Sequence, residues 1–191
     1  MDAQKKKRLI ELIKEKALVV NTEENFKLAS GKESSYYFNM KPVALDPEGA
    51  NLITEVMLEI IMVQCKDVAY VGGMETGGFP LVAAICVQSK YRGMPVQGFF
   101  VRKEEKKRGT KKLIEGNLKE NSNVVLVEDV TTTGASVLKA VNAVREFNCV
   151  VDKVITIVDR LEGAKENLAK EGISLISLLT VDAFKENLAE Q

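Results

Sequence analysis

Two adjacent acids, Glu128 and Asp129, stand at the end of an apolar run, Val124–Val127. After Val130 come three threonines, a glycine, an alanine and a serine, Thr131–Ser136. Four consecutive β-formers behind the turn-prone Asn121–Asn123 predict a buried strand. Val137, Leu138, Val141, Val144 and Phe147 then share one face of a predicted helix. A hydroxyl-rich loop opening a helix gathers free N–H groups, the positive dipole end and O–H donors onto one point, which suits a phosphate. Acids beside that point would repel a phosphate unless they face sugar hydroxyls or a metal ion, so the combination points to a phosphorylated ribose. A helix cap would explain a single Thr or Ser. It does not explain two acids, three threonines and a glycine together.

A second loop has the same placement. Val68–Val71 reads as a short strand, Phe79–Val87 as an apolar helix, and Gly72–Gly78 between them includes Glu75, Thr76 and Gly77. Its glycines permit positive φ and close approach of the backbone to a ligand. The segment is neither a P-loop nor a dinucleotide fingerprint. A third feature follows the strand Val96–Val101: residues 102–112 hold seven basic and two acidic side chains, among them Arg102, Lys103, Lys106 and Arg108. Such a run is commonly a solvated loop. At the C-terminal end of a core strand, where open α/β sheets bind ligands, it reads as a cationic lid for a highly charged anion such as pyrophosphate.

The chain has no histidine among its 191 residues, which removes Ser-His-Asp and Cys-His catalysis and histidine-ligated metals. Carboxylates, lysine, arginine, backbone donors or a loosely held cation must do any chemistry. Net charge is zero, so whole-molecule attraction to nucleic acid or anionic membrane is not indicated. Three scattered cysteines, Cys65, Cys86 and Cys149, fit reduced core thiols. No signal-peptide pattern or membrane-length apolar run is visible, and the expectation is a cytoplasmic protein.

The elements that must position these groups follow in order. Residues 4–18 predict an amphipathic helix. Phe26–Met40 predicts a β segment with three adjacent aromatics, Tyr36, Tyr37 and Phe38, which either pack at a sheet edge or stack on a flat ligand. Asp46 and Pro47 predict a helix start running to about Gln64. A strand at Lys153–Val158 ends in Asp159 and Arg160, a helix spans Glu162–Lys170, a strand Ile173–Leu179 and a final helix Val181–Leu188. Strands alternating with helices predict an α/β fold, a parallel sheet covered on both faces.

Val124–Ser136 (VVLVEDVTTTGAS) resembles the signature of type I phosphoribosyltransferases, which use 5-phosphoribosyl 1-diphosphate (PRPP). Phe26–Asn39 (FKLASGKESSYYFN), Phe100–Gly116 (FVRKEEKKRGTKKLIEG) and Ile157–Leu161 (IVDRL) resemble the orotate phosphoribosyltransferases within that superfamily. The likeness implies a parallel sheet flanked by helices, an N-terminal hood over the base (1–45), a PRPP-binding core (46–191) and a flexible lid (102–113). It implies transfer of the phosphoribosyl group from PRPP to orotate, giving orotidine 5′-monophosphate and pyrophosphate, with Mg²⁺ held mainly by PRPP near Asp129. It also implies a homodimer sharing its lids.

By the same likeness Thr131, Thr132, Thr133, Gly134, Ala135 and Ser136 cradle the 5′-phosphate, and Glu128 and Asp129 hold the ribose. Arg102, Lys103, Lys106 and Arg108 belong to the lid, and Glu75, Thr76 and Gly77 to the pyrophosphate side. Arg160, Tyr37, Phe38 and Thr132 contact orotate. The chain departs from many members at Arg108, where they carry histidine, and from some at Ala29 and Gly77, where they carry lysine. A purine- or uracil-specific phosphoribosyltransferase and a non-catalytic PRPP-binding regulator are the alternative readings.

Overall fold

The computed structural model describes residues 1–21, 25–27, 31, 33–65, 67–104 and 113–189. Helix α1 (Ala3–Lys16) opens the chain, capped by Asp2, whose carboxylate accepts from the Lys5 N–H at 2.8 Å. Its apolar stripe, Leu9, Leu12 and Ile13, is buried. The helix stops two residues short of the expected end, and Leu18 enters a strand, β1 (Leu18–Val20). The predicted β segment is three pieces, β2 (Phe26–Lys27), β3 (Glu33–Ser34) and β4 (Tyr36–Phe38). β1 pairs with β4 and β2 with β3, both antiparallel.

A short helix, α2 (Lys41–Ala44), was not foreseen; α3 (Pro47–Gln64) was. Asp46 caps α3 through 3.0 Å bonds from the Glu48 and Gly49 N–H groups. The rest is β5 (Tyr70–Met74), α4 (Gly78–Tyr91), β6 (Gln97–Val101), β7 (Ile114–Gly116), β8 (Asn123–Thr131), α5 (Ala135–Glu146), β9 (Val150–Asp159), α6 (Ala164–Lys170) and β10 (Ser174–Thr180). The expected last helix is a 3₁₀ turn, Val181–Phe184, followed by α7 (Lys185–Ala189).

Six strands form the central sheet in the order β10-β9-β8-β5-β6-β7. All pairings are parallel except β6 with β7. The sheet is therefore mostly parallel, with an antiparallel edge strand that the sequence reading missed. Ile114–Gly116 is too short to show a period. From β5 the chain moves outward to β6 and β7, then returns to β8 on the other side of β5. That reversal makes β5 and β8 a topological switch point, and the crevice beyond their C-terminal ends is the expected ligand site.

Alternation along β8 shows the two-sided cover. Val125 and Val127 join the cluster formed with α1, α3 and α4, while Val124 and Leu126 join the one formed with α5. The N-terminal elements share the first cluster: Phe38 packs edge-on against Phe184, ring centroids 5.1 Å apart. Gly72 and Gly73 lie inside β5, which corrects their reading as ligand-approach residues. A Cβ on Gly72 would sit 2.1 Å from the Phe99 ring, and one on Gly73 2.7 Å from the Val127 carbonyl oxygen. These glycines let a buried phenylalanine and a neighbouring backbone pack, and burying such a ring contributes about 1.5–3 kcal/mol.

Candidate active site

β8 runs through the two acids to Thr131, so they keep the alternation of the strand. Glu128 turns toward the α5 side and Asp129 toward the loop after β5; a Cβ on Gly77 would meet Asp129 Oδ1 at 2.5 Å. Past the strand, Gly134 takes a left-handed conformation (φ 80°) and hands over to α5. Thr131–Val137 with Glu128 enclose a cup of about 70 Å³ at the start of that helix. The size and the helix N-terminus suit one phosphoryl group. The cup is braced from outside: Asn167 Nδ2 donates to the Thr133 carbonyl at 2.9 Å. The Thr131 hydroxyl donates to Asp159 Oδ1 at 3.3 Å, and Thr131 is buried. Thr131 therefore spends its hydroxyl on holding the loop, a role that Asp159 and Asn167 share and that sequence spacing gave no way to foresee.

The cup opens into a cleft of about 510 Å³, in the range of small-molecule sites. Loops from the C-terminal ends of four strands meet there. Glu75, Thr76 and Gly77 come from the β5 loop, Lys103 and Glu104 from the β6 loop. Thr132 and Ser136 follow β8, Arg160 follows β9, and Tyr37 and Phe38 close the N-terminal side. Asp129 and Thr132 thus line an open space, where the phosphoribose reading needs them. Lys106, Arg108 and Ala29 lie outside the described residues.

Four expected site residues have other engagements. Arg102 is absent from the cleft lining; its guanidinium lies 4.0 Å from Glu75, and its backbone N–H bonds the Leu113 carbonyl across the base of the lid. Glu75 also accepts from the Lys103 N–H at 2.9 Å, so this acid ties the lid stem to the β5 loop. Phe38 is buried against Phe184 and Tyr36, whereas Tyr37 is exposed beside Phe26. The aromatic run is therefore partly core and partly cleft wall. Arg160 is buried and largely engaged: it bonds Glu162 (2.9 Å), Ser34 (2.9 Å) and the Tyr36 carbonyl (3.5 Å), and lies 4.3 Å from the Tyr36 ring centroid. It fixes the hood strand to the sheet and leaves an edge facing the cleft. The next residue, Leu161, sits at φ 58°, held by a bond from its N–H to Asp159. Two cleft cations went unnoticed in the sequence, Lys41 and Lys139.

Glu128 is the electrostatic oddity. It is 6% exposed, its Oε2 has no hydrogen-bond partner, and Asp129 is its neighbour. Burial first, then the Asp129 charge, push its carboxyl well above the usual glutamate value, opposed by the Lys103 ammonium. A carboxyl in that state awaits a partner: a hydroxyl donor or a cation.

The contact between Gly77 and Asp129 gives a separable prediction. Gly77→Ala displaces the Asp129 carboxylate, because that side-chain end is what a methyl group would strike. Turnover is expected to fall about 10-fold or more while the melting temperature shifts by no more than about 2 °C, the size of an ordinary surface change. Steady-state kinetics beside a thermal melt check this; unchanged turnover removes Asp129 from the chemistry.

The phosphoribosyl transferase domain family matches residues 45–188. The chain is 48% identical to the orotate phosphoribosyltransferase of Methanocaldococcus jannaschii over 93% of its length and 95% of the relative's. It is 44% identical to that of Aquifex aeolicus, covering 91% and 93%. Among solved structures it is similar to Mycobacterium tuberculosis orotate phosphoribosyltransferase in complex with PRPP, with a TM-score of 0.77, 33% identity and coverage of 95% of this chain and 99% of that one.

Proposed function

The chain belongs to the orotate phosphoribosyltransferases of the phosphoribosyl transferase domain family, and on that footing we infer that it moves the phosphoribosyl group of PRPP onto orotate. The observation that carries the reading is the single cleft joining a helix-start phosphate cup, two acids and the lid stem. The 5′-phosphate occupies the Thr131–Ser136 cup. Asp129 and the unpartnered Glu128 oxygen take the ribose hydroxyls, and the backbone of the 75–77 loop with Lys103 takes the diphosphate. The bond from the anomeric carbon to the diphosphate oxygen breaks and its electron pair leaves with pyrophosphate. An orotate ring nitrogen supplies the pair for the new bond and releases its proton. Fixed charges beside the sugar ring stabilise the positive charge that develops on it, and holding both substrates in one cleft supplies much of the remaining acceleration.

Mg²⁺ is the cofactor proposed. Among the described residues no three carboxylate or cysteine side chains gather around one point, so no protein cage of that kind is built there. Asp129, half-buried at the cleft wall, and the orphan oxygen of Glu128 fit a hard cation whose other ligands are phosphate, hydroxyl and water oxygens. When bound, the ion neutralises charge on the diphosphate. A homodimer sharing lids is the assembly proposed, supported by Met62, Val63, Val87 and Tyr91, which leave exposed apolar surface on α3 and α4. No described helix is long and apolar enough to cross a membrane, and the three cysteines are unpaired, which supports a cytoplasmic setting. Incubation with orotate, PRPP and Mg²⁺, following loss of orotate absorbance, is expected to show turnover. Activity with a purine or uracil and none with orotate would move the assignment to another member of the superfamily.

A further inference from the structure

Among the described residues, four cations line the cleft, Lys41, Lys103, Lys139 and Arg160, and four acids, Glu75, Glu104, Glu128 and Asp129. On the proposed reading its ligands bring three anionic groups: two phosphoryl ends of one substrate and the carboxylate of the other. Matching cations to groups is a matter of place and availability. Lys139 is three residues along α5 from Ser136, on the same helix face, and so stands beside the phosphate cup. Lys103 stands at the diphosphate loop, anchored by its backbone to Glu75, with its ammonium in the field of Glu128. Arg160 is the cation that the family resemblance assigns to the base, yet three of its five donors are committed to Glu162, Ser34 and Tyr36.

Lys41 is left. It opens α2, three residues after Phe38, at the N-terminal wall of the cleft, which the orotate reading gives to the base. Its side chain is exposed and its ammonium has no partner among the described residues. The acids of the cleft come from the β5, β6 and β8 segments, so a substrate carboxylate seated near them without a cation would be repelled. We propose that Lys41 reads the carboxylate of the pyrimidine and so sets the preference for orotate over uracil. The inference rests on the orotate reading.

Orotidine 5′-monophosphate and UMP differ only by that carboxylate, and binding them needs no turnover. Equilibrium titration of the full chain is expected to show wild type favouring orotidine 5′-monophosphate over UMP by at least about 10-fold. Lys41→Met loses most of that preference by weakening the first ligand alone, and Lys41→Arg retains it. In kinetics the same change raises KM for orotate about 10-fold and leaves KM for PRPP within about twofold. Lys41→Met weakening both nucleotides equally, or neither, overturns the proposal while wild-type turnover of orotate keeps the function intact. A wild type that does not turn over orotate overturns both.

Discussion

Lys103→Ala is expected to lower turnover by about 10²–10³-fold, with a melting temperature near that of the wild type. The side chain is exposed and makes no ion pair among the described residues, so its removal costs the fold little, within about 0.5 kcal/mol. What it does in the reaction is another matter. An exposed ion pair in water contributes under about 1 kcal/mol, but a fixed cation facing developing charge in a water-poor cleft contributes about 2.7–4 kcal/mol, which is the 10²–10³ range. The second figure is the expected one because Lys103 lines the cleft and Glu75 holds its backbone N–H at 2.9 Å, which fixes the root of the side chain and leaves the ammonium for bound diphosphate to engage. Steady-state kinetics in both substrates separate the possibilities. The loss belongs in kcat, since diphosphate gains charge as it departs, and orotate binding survives. Near-normal turnover would remove the lid stem from catalysis.

The cup at the start of α5 was legible because its geometry is local. A strand of β-formers, a hydroxyl-rich loop and an amphipathic helix are each written in consecutive residues, and their junction is an anion site wherever it occurs. The braces were not legible, because each is a meeting of distant residues. Asn167 and Thr133 are 34 positions apart, Thr131 and Asp159 28, and Arg160 and Ser34 126. Glycine was the ambiguous letter. In one short run Gly72 makes room for Phe99, Gly73 for the Val127 carbonyl and Gly77 for the Asp129 carboxylate, three different reasons that no local pattern distinguishes. The aromatic run was ambiguous for a related reason: alternation in β4 sends Phe38 into the core and Tyr37 outward, and only the partner strand and Phe184 decide which. β7 escaped because its place in the sheet comes from pairing with Phe99–Val101, residues distant in the chain, and not from any preference of Ile114–Gly116.

Glu128→Gln is expected to stabilise the unliganded protein while removing about 10²-fold or more of its activity. The wild-type carboxyl is buried, its Oε2 lacks a partner, and Asp129 repels its charged form. Its folded-state pKa therefore lies above the ordinary value of 4.5, whereas the unfolded chain titrates near that value. Between those two points the folded protein binds more protons than the unfolded one, and stability falls as pH rises through the window. Glutamine has no charge to suppress, and its amide can donate to Asp129. Leaving a carboxylate buried without a partner costs at least about 1–3 kcal/mol; relief on that scale raises the melting temperature of a chain this long by about 2–12 °C. The gain should be absent near pH 4, where the wild-type carboxyl is protonated in both states, and grow toward alkaline pH. PRPP should shrink it, because ribose hydroxyls and a bound cation supply the missing partners that only the charged form can use. Thermal melts of both proteins across pH, with and without PRPP, measure all of this. A variant that melts below the wild type at pH 8 would show that the Glu128 charge is already compensated in the empty cleft, and that the site is not held in strain for its substrate.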